Sequence, residues 1–177
     1  MRTGMTSVQW WNSIKINDKL LTDWLKSQYH GEATAAVRIR KFANEYAVNT
    51  RQKRALEVVA GQEELHAGWV EKLLKSRGII ASILDKHERY WDKTLQGITS
   101  WETGCAVAAH AEAMRLERIR VIANDLYAPN DIRKVFQQIL PQEEFHETIF
   151  RKFSNPEAMA TTDINHIQGL EALGLIL

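Results

Sequence analysis

Residues 30–44 read HGEATAAVRIRKFAN, and residues 110–124 read HAEAMRLERIRVIAN. The two stretches agree at eight of fifteen positions, which at a fixed offset of 80 residues marks an internal duplication. The same offset carries residues 62–66, QEELH, onto residues 142–146, QEEFH. Glu32 therefore repeats as Glu112, Glu63 as Glu143 and His66 as His146. Each half carries a Glu followed by Glu-x-x-His. Four carboxylates and two imidazoles in that order are the ligand set of a two-metal site inside a helix bundle.

Helix punctuation repeats with the ligands. Asn17 or Asp18 is placed to cap a first long helix ending about Val48, and Thr50 to cap a second that stops at Gly78. Ser100 is placed to cap a third, reaching about Tyr127 before Pro129, and Asn130 to cap a fourth that ends near Phe153. Thr50 and Asn130 are themselves 80 apart. The halves thus span about 18–77 and 100–153, joined by a crossover at 78–99 with a short helix expected around 86–96. A tail at 154–177 is expected to hold a further short helix near 163–173.

The proposed ligands sit inside apolar stripes at helical spacing. Leu25, Ala36, Ile39, Ala43 and Tyr46 share the face of Glu32. Cys105, Ala108, Leu116, Ile119 and Leu126 share that of Glu112. Val59, Val70 and Leu73 flank Glu63 and His66, and Ile139, Phe150 and Phe153 flank Glu143 and His146. Glu and His three residues apart project from one side of a helix. From Glu32 to Glu63, and again from Glu112 to Glu143, the count is 31 residues through a turn, which returns the chain to the same height. All six groups are therefore expected to converge at mid-bundle. A charge in an apolar stripe is costly unless something compensates it. Two divalent ions would neutralise four glutamates; without them the carboxylates would repel one another and titrate as a coupled cluster. Oxygen-rich ligation with one imidazole per ion favours iron or manganese over zinc.

The bulk composition excludes other classes. A chain of 177 residues suits one domain with a sizeable core. A net charge of +1, without long runs of one sign, gives no reason to expect nucleic acid or an anionic membrane as partner. The single cysteine, Cys105, rules out an intrachain disulfide framework and reads as a small core residue. A cytoplasmic setting is the expectation, with neither a secretory h-region nor a transmembrane segment at the start, MRTGMTSVQWWNSIK. Three prolines and nine glycines point to helix throughout.

With these residues in place, the chain resembles the ferritin-like diiron-carboxylate proteins over roughly residues 18–153. Gly31-Glu32-Ala33 with Ala36, and residues 62–67, QEELHA, look most like the rubrerythrin branch. The paired Glu-x-x-His motifs are also similar to demethoxyubiquinone hydroxylases and bacterioferritins. The resemblance implies an all-α, antiparallel four-helix bundle with an internal two-fold repeat, a long central crossover and a short C-terminal helix. It implies two iron ions, with manganese the alternative, held by Glu32, Glu63, His66, Glu112, Glu143 and His146. It also implies reaction with dioxygen or hydrogen peroxide as a peroxidase or oxidase, the alternatives being a ferroxidase that stores iron and a hydroxylase of a quinone-like substrate. A homodimer is expected. Rubrerythrins usually carry a rubredoxin domain with CxxC motifs, and none occurs here, so electrons are expected from an external donor protein. They also carry a further carboxylate one turn from the helix-three Glu, where this chain has Ala109 and Arg115.

Several neighbours divide between a functional and a packing role. Gly61 and Pro141, repeat partners two residues before Glu63 and Glu143, both weaken helix and are expected to kink it so that those carboxylates aim inward. His30 and His110 lie two residues from a ligand, about 200° around the helix, and are expected at the surface or between subunits. Arg115 could pair with a ligand carboxylate or guard the site entrance, though an Arg so placed more often extends to the surface. Tyr29 reads as a packed ring, and Glu147, whose repeat partner is Ala67, is set aside. Trp10-Trp11 fits a segment covering an apolar groove, a dimer contact or a membrane surface.

Overall fold

A computed structural model describes residues 5–175. Among these there are seven α-helices and no strand: α1 (Ser7–Lys15), α2 (Asp18–Tyr46), α3 (Thr50–Lys75), α4 (Arg89–Thr94), α5 (Trp101–Asn124), α6 (Asn130–Phe153) and α7 (Pro156–Ala172). A single 3-10 turn, Leu95–Gly97, follows α4. The protein is an all-helical bundle. Among the described residues, contacts define two compact units, one of residues 11–85 with 122–139, the other of residues 5–10 with 86–121 and 140–175.

The first unit is built on the α2–α3 hairpin. Asn17 caps α2 by accepting the Leu20 N–H at 3.0 Å, and Asn49 caps α3 by accepting that of Gln52 at 2.9 Å. With only 47–49 between them, the helices pack antiparallel, and Arg40 spans them by pairing with Glu57 at 2.7 Å and with Glu64. Leu25, Ala36 and Ala43 of α2 are buried, as are Leu56, Val59, Ala60, Val70 and Leu74 of α3. At the end of α3, Gly78 takes the left-handed conformation (φ +72°). Its N–H then reaches the Lys75 carbonyl at 3.0 Å while that of Ile79 reaches Leu74 at 3.1 Å, closing the helix as a Schellman motif. In the crossover that follows, the Leu84 N–H donates to His30 Nδ1 at 3.0 Å.

In the second unit, Ser100 and Thr103 cap α5 reciprocally: the Thr103 N–H donates to Ser100 Oγ at 3.1 Å, and the Ser100 N–H to Thr103 Oγ1 at 2.9 Å. Arg120 of α5 pairs with Glu144 of α6 at 3.1 Å. This repeats, 80 residues on, the Arg40–Glu64 pair of the other hairpin. Asn155 caps α7 and Pro156 occupies its first turn, where a missing N–H costs nothing. The α7 helix packs on α4, and the close approach depends on Gly169: a Cβ there would lie 2.6 Å from Cδ2 of Tyr90.

Most expected boundaries stand within a few residues, with instructive exceptions. Asn49, not Thr50, caps α3; Thr50 and Asn130 are instead the first helical residues, still 80 apart. The third long helix ends at Asn124, so Leu126 lies beyond it and is 78% exposed rather than part of the stripe. The tail helix starts at Pro156, seven residues earlier than its apolar pattern suggests, because Asn155 supplies the cap. Both α3 and α6 run on through Gly61 and Pro141. His30 is buried, not at the surface, because the crossover folds over it.

The sequence reading missed α1 as an element. Thr6 and Gln9 form its capping box: the Gln9 N–H donates to Thr6 Oγ1 at 3.1 Å and the Thr6 N–H to Gln9 Oε1 at 2.9 Å. The two tryptophans part company. Trp10 lies under the Arg118 guanidinium at 4.3 Å. Trp11 is buried edge-on to Trp24 at 5.3 Å, with Nε1 donating to Asp125 at 2.8 Å beside Lys15 at 2.7 Å.

Burial pushes the Asp125 carboxyl up, but bonds from Lys15, the Tyr127 N–H and Trp11 outweigh it and hold the group below the ordinary carboxylate range. Its stabilising contribution is therefore present above the unfolded-state pKa and is lost as the pH falls through the lower folded-state value. Asp125→Ala is expected to lower stability by about 2 kcal/mol. In acid titrations followed by tryptophan emission, the native protein should show a transition at low pH that Asp125→Asn lacks.

Candidate metal centre

The first unit assembles one group of donors. Glu32 projects from α2, Glu63 and His66 from α3, and all three side chains are fully buried. One ligand atom from each lies within 4.8 Å of the other two. His66 Nδ1 stands 3.6 Å from Glu32 Oε2 and 3.8 Å from Glu63 Oε2. Val59 and Val70 bury the same face of α3, and the ring of Trp69 lies 5.6 Å from that of His66. Gln28, one turn before Glu32, donates from Nε2 to Glu32 Oε1 and fixes that carboxylate's rotation.

The second unit repeats the group. Glu112 comes from α5, Glu143 and His146 from α6, and again one atom from each lies within 4.8 Å of the others. Glu143 and His146 are fully buried and Glu112 is 5% exposed. His146 Nδ1 is 3.4 Å from Glu143 Oε2. Each of the six residues chosen from sequence thus lands in a buried Glu, Glu, His cluster, three to a unit. Helical periodicity explains why: Glu-x-x-His presents both donors on one face, and antiparallel packing brings the single Glu of the partner helix to the same level.

These spacings suit a cation better than they suit one another. Separations of 3.4 to 3.8 Å exceed a hydrogen bond between the same groups. Two donors bound at about 2.1 Å to one ion, at angles from a right angle to about 120°, stand about 3.0–3.6 Å apart, a range that takes in the 3.4 and 3.6 Å pairs and lies just below the 3.8 Å pair. Two buried carboxylates per cluster also need compensating positive charge. Carboxylate oxygens with one imidazole nitrogen and no thiolate suit iron or manganese. The residues present therefore fit a metal.

The duplication is not complete around the site. Arg115 reaches both carboxylates of the second cluster, 3.7 Å from Glu112 Oε2 and 3.5 Å from Glu143 Oε1, with its side chain 22% exposed. Its repeat partner is Ala35, and the partner of Gln28 is Ala108. One cluster is steadied by a neutral amide, the other by a guanidinium. Of the roles open to Arg115 from sequence, it takes pairing with the buried carboxylates of Glu112 and Glu143. Arg115 also lines a cavity of about 350 Å³ with Trp10, Met114, Leu170 and Leu173.

Other singled-out residues settle into packing. Burial, with the charge of Glu102 adding, pushes the Cys105 thiol up, so the residue is an inert part of the core. Glu147 pairs with Arg151 at 2.6 Å, away from the donors. His110 packs against α7, with Nε2 donating to the Met159 carbonyl at 3.2 Å.

Among the described residues, no helix is long and apolar enough to cross a membrane. No curated protein and no solved structure matches the chain. The sequence profile of the family described as Rubrerythrin does match, over residues 23–154, from the second turn of α2 to the end of α6. That span contains both donor clusters and three-quarters of the chain, and so the protein belongs to the rubrerythrin family of ferritin-like diiron-carboxylate proteins.

Proposed function

We propose that the two clusters are halves of one dinuclear iron centre within a single ferritin-like domain, and that the protein is an oxidoreductase acting on dioxygen or hydrogen peroxide. The observation that carries this reading is the duplicated Glu, Glu, His set, buried in both copies on facing helices. Family membership supports it. Glu32, Glu63 and His66 would hold one ion; Glu112, Glu143 and His146 would hold the other. When bound, a pair of iron ions would supply two electrons for the reduction of dioxygen or peroxide.

The chain's own residues set the conditions for that chemistry. Burial excludes bulk water and strengthens each carboxylate's hold on a cation. Gln28 keeps one oxygen of Glu32 engaged and leaves Oε2 facing His66. Arg115 places a fixed positive charge beside Glu112 and Glu143, so the second cluster is less anionic than the first. The guanidinium cannot give up its proton at ordinary pH. It therefore offsets anionic charge but is not the acid that protonates a departing oxygen. Electrons would come from an external donor, and we take the working unit to be a homodimer.

The cavity beside Arg115 favours a second reading, hydroxylation of a small apolar substrate. A side chain that contacts the donor carboxylates also lines that apolar space. An iron-storing ferroxidase is the third. Gel filtration separates storage from the others, since a cage elutes far ahead of a dimer. Substrate-dependent oxygen uptake separates hydroxylase from peroxidase.

Metal analysis of the purified protein should give two ions per chain and decide iron against manganese. Adding Fe(II) anaerobically at about 100 times its Kd should raise Tm by about 5–10 °C; an unchanged melting curve would sink the centre. Glu63→Ala should abolish dimetal loading rather than slow turnover, and full occupancy in that variant would refute its role as a ligand.

Arg115→Gln should have opposite effects on the two forms. Without metal it leaves the second cluster's carboxylates less compensated and should cost about 1–3 kcal/mol. With Fe(II) it removes a competing cation, so the metal-induced rise in Tm should exceed that of the native protein. Equal rises in calorimetry would show that Arg115 does not tune the site.

A further inference from the structure

Arg115 joins a cavity to the donor carboxylates. Its guanidinium stands 3.7 Å from Glu112 Oε2 and 3.5 Å from Glu143 Oε1. The same side chain lines a space of about 350 Å³ between the start of α1, α5 and the end of α7. Helical spacing builds that wall: Met114 and Arg118 are four residues apart and Arg115 and Arg118 three, so these side chains leave one face of α5. Arg118 stacks on Trp10 of α1, its guanidinium carbon 4.3 Å from the ring centre, and Ser7 Oγ donates to Glu117 at 2.6 Å. The start of α1 is thus held against α5 at two points. On the other side, Leu170 and Leu173 of α7 face the space. Gly174 turns left-handed (φ +71°) and the Leu175 N–H returns to the Leu170 carbonyl at 2.9 Å, which closes the helix and folds the chain back along the cavity.

The lining combines an apolar body with a cationic end. Trp10, Met114, Leu170 and Leu173 supply the apolar wall. Arg115 and Arg118 supply two guanidiniums, set against the single carboxylate of Glu117. Cation–π stacking uses the face of a guanidinium, whereas its N–H donors lie in the plane, so Arg118 can stack and donate at once. A cavity of this size sits at the small end of ligand pockets, which run from about 300 to 1,000 Å³, and so suits a short molecule. Metal loading sharpens the preference for an anion. Glu112 and Glu143 together match the charge of one divalent ion. That leaves the charge of Arg115 over, on a side chain only 22% exposed, where an uncompensated ion is costly. The head of an acidic ligand in the cavity would meet that charge.

We propose that this cavity binds a short alkyl or aryl carboxylate, its head between Arg115 and Arg118 and its apolar body against Trp10, Met114, Leu170 and Leu173. This seats the carboxylate, not the apolar end, toward the donor cluster. Arg115 then couples the ligand to the metal. In the metal-free protein its guanidinium is drawn to Glu112 and Glu143. With those carboxylates engaged by a cation, it is released toward the cavity. Ligand and ion therefore strengthen one another's binding, and linkage requires the two effects to be equal. The carboxylate site stands on the residues that line the cavity. The coupling rests on the dinuclear reading above, and the two are tested apart.

Isothermal titration calorimetry on the full chain at neutral pH tests this with octanoate and its neutral counterpart 1-octanol, each added to metal-free and to zinc-loaded protein. Zinc is redox-inert, so no turnover intrudes. In both forms octanoate should bind at least about 10-fold more tightly than octanol, the effect of one charge-assisted hydrogen bond. Arg118→Gln, which leaves the donor residues in place, should remove most of that advantage, and Arg118→Lys should keep part of it. Leu173→Trp, which fills the space, should abolish binding of both. Zinc should raise octanoate affinity about 5-fold or more, octanoate should raise zinc affinity by the same factor, and Arg115→Gln should erase both effects. Melting curves check each variant, and the comparison of acid with alcohol needs none. Equal affinity for the two, no binding, or octanoate binding that survives Leu173→Trp unchanged would overturn the carboxylate site. Octanoate affinity that zinc leaves unchanged would overturn the coupling. Failure to take up zinc would instead overturn the metal centre, while the metal-free arm still decides the ligand.

Discussion

Burial of ionisable side chains is the constraint on which this molecule is organised. Glu32, Glu63, Glu112 and Glu143 lie within the apolar faces of their helices, and three of the four expose no surface at all. A carboxylate taken from water carries a desolvation cost of several kcal/mol even after relaxation, and two of them side by side repel. Such an arrangement is stable only where positive charge is supplied. The helices, their caps and their cross-pairs deliver the groups to common levels, and their spacing suits a cation between them. The apolar core around them then strengthens every Coulomb interaction that the site makes.

Duplication gives this arrangement its economy. Each hairpin repeats the start of its second helix, at Thr50 and Asn130, the same Glu-x-x-His and the same outer ion pair, Arg40 with Glu64 and Arg120 with Glu144. Those ion pairs are solvent-exposed, and their main effect is on helix register rather than on stability. Departures from the repeat mark where the two halves do different things. Gln28 faces Glu32 where the other copy has Ala108, and Arg115 faces Glu112 and Glu143 where the other has Ala35. The two donor clusters therefore differ in their surroundings, with the Gln28 amide beside one and the Arg115 guanidinium beside the other.

Elements outside the repeat carry the rest of the individuality. The α1 helix closes over part of the core through Trp11 and the Asp125 carboxylate, and α4 with α7 forms a separate layer around Tyr90, Gly169 and His166. The family profile matches residues 23–154, a span that begins within α2 and ends before α7.

The sequence by itself determined the helical class, the four long helices to within a few residues and which carboxylates and imidazoles lie buried together. These rest on local rules: a 3.6-residue period, capping side chains, and an offset of 80 at which both recur. Where a cap sits one residue away, as with Asn49 before Thr50, local chemistry leaves neighbouring choices nearly equal, and packing decides. Leu126 matched the stripe by spacing, but the helix it was assigned to had already ended at Asn124. His30 looked like a surface residue because angle around a helix says nothing about what a distant crossover lays on top of it. The role of Arg115, the pairing of Trp11 with Asp125 and the meeting of Tyr90 with His166 were decided only by tertiary structure. Each joins residues whose approach depends on how helices dock, and no periodicity within a single segment encodes a contact made across 28, 114 or 76 positions of chain.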